Sequence, residues 1–209
     1  GVVAAQNGGS VLFYTPEGDR ATAERLAVWL MEQPWCGAIT ASEAVAGIPG
    51  TLPASLVGNE GPRGPEITMS FRWNSTPNGA GYHGSVYSTG GGPGRGQHGS
   101  MSKHELNNVL FAWGPSFKRR VKLDTPSGNI DLVPTILRIL GISGGAGMDG
   151  RVLEEAFAGG PDATEVDWST ELHSTERRLT DKVYRQQIKI SRVGGTTYVD
   201  EGNSTLGWR

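Results

Sequence analysis

The chain has 209 residues, a formal net charge of −2 and a single cysteine, Cys36. Its length suggests one domain or a large part of one, and its 32 glycines and 12 prolines predict many ordered loops between short elements. This composition excludes an intrachain disulfide, gives no global basic field for nucleic-acid binding, and contains no apolar run of membrane-spanning length. We interpret the one basic run, residues 118–120, as solvated and Cys36 as a buried inert thiol.

The first forty residues predict an order of strand, helix and strand. Two short apolar runs, 2–5 and 10–14, are separated by an Asn-Gly turn, which predicts a hairpin. Asp19 can cap a helix that ends at Pro34, because apolar residues recur there with the helical period. Residues 35–41 then predict a buried strand, so the opening of the chain indicates an α/β rhythm.

The middle of the chain is rich in loops. Residues 42–65 predict a loop anchored by a few leucines, and residues 67–73 alternate as a half-buried strand does. Residues 74–100 carry almost no core-forming pattern but many Gly, Ser, Thr and Asn residues. Long ordered loops of this composition are often functional, so we interpret 74–100 as an active-site loop, with a disordered insertion as the alternative. His83 lies there and is a candidate to line a substrate pocket.

A second histidine, His98, lies in the glycine-rich stretch from Gly94 to Ser102. Glycines on both sides of it give the backbone unusual freedom and leave room for a ligand or metal. Ser102 and Glu105 then form a capping-box pattern, which predicts a helix start immediately after the loop. Taken alone, a histidine in this setting is most simply an exposed turn residue.

The segment after this loop predicts a buried strand and an apolar helix. The continuous apolar run 109–113 ends at Gly114-Pro115, as a buried strand does. Asn129 can cap a helix whose apolar residues extend to Leu140, and Gly141 suits its C-terminal cap. We expect this helix to pack on the sheet.

The C-terminal region divides from the rest near residue 158. Residues 159–170 are polar and indicate a connector, while 172–183 are charged and predict a surface helix. Residues 185–193 and 196–199 flank a Gly-Gly turn and predict a terminal β-hairpin. The predicted organisation is therefore an α/β domain over 1–158, followed by a connector, a helix and a hairpin over 159–209.

The order of motifs around His98 resembles a known family. The motifs are Gly96-Gln97-His98-Gly99, the strand and Gly-Pro-x-Phe turn of 108–117, the Ile-Asp-x-x-Pro-Thr helix start within 129–137, and Asp149-Gly150-Arg151. Each motif is weak alone, but their order and spacing over 96–153 resemble the C-terminal part of the alkaline phosphatase superfamily. The match looks closest to the type I phosphodiesterase and nucleotide pyrophosphatase branch.

This resemblance implies a fold, a cofactor and a reaction. The implied fold is α/β, a mostly parallel sheet flanked by helices, and the implied cofactor is a pair of zinc ions that contact a Ser or Thr nucleophile. Two such metals can hold the attacking and leaving oxygens of a phosphoryl group. His98 would be the last histidine ligand of this centre, since neutral imidazole is a good zinc ligand. The implied activity is hydrolysis of small phosphate mono- or diesters.

The family's other signatures do not occur in this sequence. We find no Asp followed four positions later by His, no Asp-His-Gly segment, and no nucleophile-bearing Asp-Ser/Thr motif of the family type. In the family these precede the stretch found here, and the chain begins without a methionine in a strand-like run. We therefore expect an N-terminal portion of the same protein as partner, with the nucleophile upstream and this chain inactive alone. The alternatives are a sulfatase, phosphonate hydrolase or phosphomutase, or a binding or structural module without metals.

Other polar residues receive simpler interpretations. Asp131 is interpreted as a helix-start carboxylate rather than a catalytic one. Asp149 and Arg151 are expected to close a turn. His104 is expected to lie on a helix surface or in helix packing, and His173 to be exposed on the C-terminal helix. The sequence leaves the compartment open among periplasmic, extracellular and cytoplasmic.

Overall fold

A computed structural model describes residues 1–90, 96 and 98–208. The chain forms two compact units. Unit 1 comprises Gly1–Asn108, Leu172–Lys189 and the residues from Val199 onward, and unit 2 comprises Val109–Glu171 and Ile190–Tyr198.

The regular elements are short until the last forty residues. In chain order they are β1 (Val3–Asn7), β2 (Ser10–Tyr14), α1 (Arg20–Met31), β3 (Cys36–Ala41), β4 (Leu52–Pro53), β5 (Ile67–Phe71), β6 (Trp73–Asn74), β7 (Ser85–Val86), α2 (Lys103–Leu106), α3 (Leu132–Leu140), β8 (Trp168–Arg178), β9 (Lys182–Val193) and β10 (Thr196–Trp208).

A five-stranded sheet in the order β1-β2-β5-β3-β4 forms the centre of unit 1. Its pairs are antiparallel except β3–β4, which is parallel over two residue pairs. The predicted mostly parallel sheet flanked by helices is therefore wrong. The predicted β1–β2 hairpin is present, and its two-residue turn allows only antiparallel neighbours.

The apolar sequence of β3 led to the wrong prediction of a parallel sheet. All residues of β3 are buried, and burial on both faces is typical of parallel strands. Here β3 pairs with the antiparallel strand β5 on one edge and with the two-residue parallel strand β4 on the other, and other elements of unit 1 cover it. Ala27 and Leu30 of α1 share its hydrophobic core. Tyr184 of β9 is in the same core and donates its hydroxyl to the Gly37 carbonyl at 2.5 Å. Gln186, also in β9, bonds both the N–H and the C=O of Ile39.

In unit 1, one predicted helix and one predicted strand are both present, but the strand is more buried than expected. The predicted helix is confirmed as α1, and the Asp19 carboxylate accepts hydrogen bonds from the backbone N–H of Ala21 and Thr22. The predicted strand is present as β5, but its predicted half-burial is wrong, because all five of its residues are buried. Strands β2 and β3 pair with the two edges of β5, and the burial of successive residues shows that both of its faces are covered.

A second sheet has three strands in the order β10-β9-β8. It contains the predicted terminal hairpin, which is longer than expected. The predicted surface helix over 172–183 is wrong, because β8 and β9 cover most of that range. Charged residues at alternate positions make cross-strand ion pairs here, such as Arg185 Nε with Glu176 Oε2 at 3.0 Å. The sequence alone does not show these cross-strand partners, so the charged residues were interpreted as the surface of a helix.

In unit 2, the helix prediction is confirmed and the strand prediction is wrong. Helix α3 follows a 3₁₀ turn at Asn129–Asp131 and ends at Gly141, whose φ of 66° is the left-handed conformation of a helix C-cap. The predicted buried strand Val109–Trp113 instead has no regular structure and is exposed. Helix α3 buries Pro134 and Thr135 and exposes most of its large apolar side chains, so its expected packing on a sheet is also wrong.

Candidate functional site

The His98 loop is fixed to the β1–β2 turn by its backbone. The Gly9 N–H donates to the His98 carbonyl oxygen at 2.7 Å, and the Thr89 N–H donates to the Gly8 carbonyl oxygen at 3.1 Å. Gly99 has a φ of 88°, and a Cβ there would lie 2.4 Å from the Asn7 carbonyl oxygen. Only glycine fits this close approach. The His98 residue itself is exposed, so its imidazole is presented to solvent from a fixed backbone.

The residues that follow His98 make more hydrogen bonds than the capping-box pattern predicted. Ser102 Oγ accepts from the His104 N–H at 3.3 Å, as an N-cap side chain does. Glu105 does not return to Ser102; its carboxylate accepts from the backbone N–H of Ser100 at 2.9 Å and from the Ser100 hydroxyl. The Met101 N–H donates to Ser70 Oγ of β5 at 2.8 Å. The other predicted loop residues, Gly94, Arg95 and Gln97, lie outside the described residues.

The second predicted site histidine, His83, stacks on His104. Their ring centroids are 6.3 Å apart and their planes differ by 16°. Ser75 joins the two rings, because its Oγ lies 2.8 Å from His104 Nε2 and its carbonyl oxygen accepts from His83 Nδ1 at 2.5 Å. The rings of Trp73 and His104 pack nearly perpendicular to each other, with 5.8 Å between their centroids. His83 and His104 thus form an exposed imidazole pair on unit 1.

Sequence reasoning missed the contribution of His104 and Ser75 to this pair. His104 was expected to lie on a helix surface or in helix packing, and it does follow the Ser102 cap. Its ring contact with His83 depends on the close approach of Gly84, where a Cβ would lie 2.6 Å from His104 Cβ. No local pattern connects positions 29 residues apart, so the sequence carried no signal for the Ser75–His104 contact.

The metal-binding donors are sparse. Among the described residues, no group of three or more His, Cys, Asp or Glu side chains is placed to hold a metal ion. Zinc sites use three or four protein ligands. The donors that the described part of this chain offers therefore do not by themselves fit a two-zinc centre, and His98 could contribute only one ligand.

Unit 2 contains a buried polar network around Asp131. Its carboxylate accepts from the N–H of Gly128 at 2.8 Å, from the N–H of Arg151 at 2.8 Å and from the Tyr198 hydroxyl at 2.9 Å. Burial, reinforced by the hydrogen bond to Asp131, raises the pKa of the Tyr198 hydroxyl. Asp131 thus joins a helix start to a strand, and all three of its contacts are structural.

Arg151 and Glu155 complete this network as a two-point ion pair. Arg151 Nη1 and Nη2 donate to the two carboxylate oxygens of Glu155 at 2.9 and 2.6 Å. Burial opposes ionisation of Glu155, but the hydrogen bonds from Arg151 outweigh it and lower the pKa of the carboxyl below its usual value. Arg151 also donates to the Tyr198 hydroxyl at 3.1 Å. Arg151 therefore does more than close the predicted turn.

The single cysteine is not a candidate nucleophile. Cys36 is buried in β3, and burial raises the pKa of its thiol to about 12. A thiol of this kind is protonated at neutral pH and inaccessible to a substrate. The predicted burial of Cys36 is confirmed.

Comparisons with family models, with curated proteins and with solved structures give no match. Among the described residues, no helix is long and apolar enough to cross a membrane.

Proposed function

We propose that this chain is the C-terminal part of a metal-dependent hydrolase of phosphate mono- or diesters, in which His98 holds one zinc ion. The observation that carries the proposal is the run of motifs from Gly96 to Arg151, which has a histidine on a glycine loop at its start. The geometry of that loop supports it, because the His98 backbone is fixed while the residue faces solvent. A fixed backbone restricts where the imidazole can lie, and an exposed imidazole is accessible to a metal ion.

The proposal assigns the remaining parts of the site to an N-terminal portion of the same protein. The described donors of this chain do not complete a two-zinc centre, so further ligands and a Ser or Thr nucleophile must come from that portion. When bound, the two zinc ions would stabilise charge on a phosphoryl group. This chain alone would not hydrolyse esters.

His83 is proposed to contact the substrate. Its Nδ1 donates to the Ser75 carbonyl oxygen, which leaves Nε2 as the hydrogen-bond acceptor of a neutral ring. The stack on His104 fixes the plane of the ring. A fixed, exposed imidazole can accept a hydrogen bond from a hydroxyl or amide group of an ester substrate.

The test uses the protein with its N-terminal portion. Purified with zinc, it should contain about two zinc ions per chain and hydrolyse p-nitrophenyl phosphate or bis-p-nitrophenyl phosphate. Preferential hydrolysis of p-nitrophenyl sulfate would instead identify a sulfatase. A protein that retains no zinc and cleaves none of the three esters would refute the hydrolase and favour a binding or structural module.

A further inference from the structure

Unit 2 has on its surface a concavity of about 460 Å³, a volume typical of small-molecule sites. Its lining combines an aromatic ring with three cations. The ring is that of Trp113, which is 97% exposed, and the cations are the consecutive residues Lys118, Arg119 and Arg120. The remaining lining residues are Ala112, Gly114 and Pro115. An exposed aromatic ring beside clustered positive charge fits a ligand that carries both a ring and an anion.

The backbone that carries the basic residues is held by a neighbouring segment of unit 2. The Lys118 N–H donates to the Ala156 carbonyl oxygen at 2.9 Å. Phe117 forms a β-bridge with Phe157, and their rings stack with 5.7 Å between centroids and 16° between planes. The basic residues therefore begin on a fixed backbone, which lowers the cost of ordering them around a ligand.

Two of the three cations have no counter-charge in the fold. Among the described residues, neither Arg119 nor Arg120 makes an ion pair. The next acidic residue along the chain, Asp124, is already bound to Lys122 Nζ at 2.7 Å. Both guanidinium groups therefore remain available to an anion, and a guanidinium binds phosphate oxygens through two parallel N–H···O bonds.

The backbone of Arg120 is strained. Its φ of 57° lies in the left-handed region, which is unfavourable for an arginine and easily adopted by glycine. Residues held in such conformations cluster at ligand-binding sites. A glycine would make this turn with less strain, so what the arginine adds here is its guanidinium group at the concavity.

We propose that this concavity binds a phosphorylated aromatic molecule of about the size of one nucleotide. The phosphate oxygens accept hydrogen bonds from Arg119 and Arg120, and the aromatic ring stacks on the exposed indole of Trp113. Each half of the ligand thus contacts a group that the fold leaves available. The site uses neither His98 nor zinc, so the proposal is independent of the proposed function.

A nucleic-acid strand and a simple anion fit less well. Strands are bound along extended basic surfaces, whereas this chain has a net charge of −2 and a single basic run of three residues. An anion without a ring would leave Trp113 without a role.

Isothermal titration calorimetry on the 209-residue chain tests the proposal with adenosine 5′-diphosphate, adenosine and inorganic pyrophosphate as probes. A metal chelator in the buffer keeps the result independent of zinc. The diphosphate should bind at least about 10-fold more tightly than either of the other two, because only it contacts both the ring and the arginines. Added salt should weaken the binding of the diphosphate and of pyrophosphate.

Variants of the lining residues separate the two halves of the site. Trp113→Leu should weaken diphosphate binding by about 5- to 150-fold through lost stacking and leave pyrophosphate binding unchanged. The double variant Arg119→Gln and Arg120→Gln should weaken both by at least about 10-fold. The matched controls Trp208→Leu and Arg178→Gln, at exposed residues of unit 1, should change neither affinity.

Arg120→Gly distinguishes lost binding from lost folding. Because glycine relieves the left-handed φ, the thermal midpoint should equal or exceed that of the wild type, while the diphosphate binds at least about 5-fold more weakly. A lower midpoint would contradict the argument from strain.

Four results would overturn the proposal. The first is no measurable binding of adenosine 5′-diphosphate to the wild-type chain. The second is equal affinity for the diphosphate and for pyrophosphate, which would leave a simple anion site. The third is unchanged affinity in the double arginine variant. The fourth is a single-stranded oligonucleotide that covers several nucleotides per chain and binds far more tightly than the diphosphate, which would identify a nucleic-acid interface.

Discussion

Replacing Gly99 with alanine perturbs the His98 loop at one atom. The new Cβ would lie 2.4 Å from the Asn7 carbonyl oxygen, a distance that real Cβ atoms essentially never show. The φ of 88° is also unfavourable for an L-residue, at about 1–2 kcal/mol. The loop must move away from the turn, and the bond from the Gly9 N–H to the His98 carbonyl is lost, at about 1 kcal/mol. The docked loop should therefore be less stable by about 2–3 kcal/mol.

The assay is hydrogen exchange at the Gly9 amide, because its partner is the His98 carbonyl oxygen. A loss of 2–3 kcal/mol corresponds to exchange that is about 30- to 150-fold faster in Gly99→Ala than in the wild type. Gly96→Ala is the matched control on the same loop, since a Cβ there would meet no atom of the described residues within 4 Å. It should leave the exchange rate of Gly9 unchanged.

Equal exchange of Gly9 in Gly99→Ala and in the wild type would refute the reasoning. The His98 carbonyl would then not hold the β1–β2 turn, and the fixed backbone that supports His98 as a ligand would be absent. Faster exchange in both variants would show that the loop tolerates no side chain anywhere, so the close approach at Gly99 would not be the cause.

Three further predictions concern the rest of the structure. Gln186→Leu should lower the free energy of unfolding in urea by about 2–4 kcal/mol, because it leaves the buried N–H and C=O of Ile39 without their side-chain partners. The control Gln33→Leu, which removes an exposed hydrogen bond, should cost under about 1 kcal/mol. Equal costs would contradict the packing of β9 on β3. Because the pKa of Glu155 is lowered in the fold, its ion pair stabilises the protein above the unfolded pKa of about 4.3, and this stabilisation is lost as the pH falls through the folded pKa. Glu155→Gln should therefore flatten the acid side of a stability–pH curve. An unchanged curve would argue against the ion pair. Cys36 should react with a thiol reagent at pH 8 only after unfolding, and rapid labelling of the native protein would contradict its burial.

Features set by neighbouring residues could be predicted from the sequence. The hairpin of β1 and β2 and the Asp19 cap of α1 depend on contacts within a few positions, and both are present. The end of α3 at Gly141 is of the same kind. Each signal lies in the residues that make the contact, so no knowledge of the tertiary fold was needed.

Features set by distant residues could not be predicted. The direction of the strands around β5 depends on pairing between segments far apart in sequence, and this decides against a parallel sheet. Charges over 172–183 gave no sign that β8 and β9 pair there. In the site, the glycine loop indicated His98, but the contact of His83 with His104 follows from a tertiary approach at Gly84.

The central claim is that His98 is one ligand of a zinc centre completed by an N-terminal portion of the protein. Zinc content measured by mass spectrometry on the complete protein tests it most directly, with His98→Ala compared with His173→Ala. His98→Ala should lower zinc affinity by about 100-fold or more and leave fewer than two zinc ions per chain after dialysis, while His173→Ala should retain both. Equal zinc content in the two variants would contradict the account.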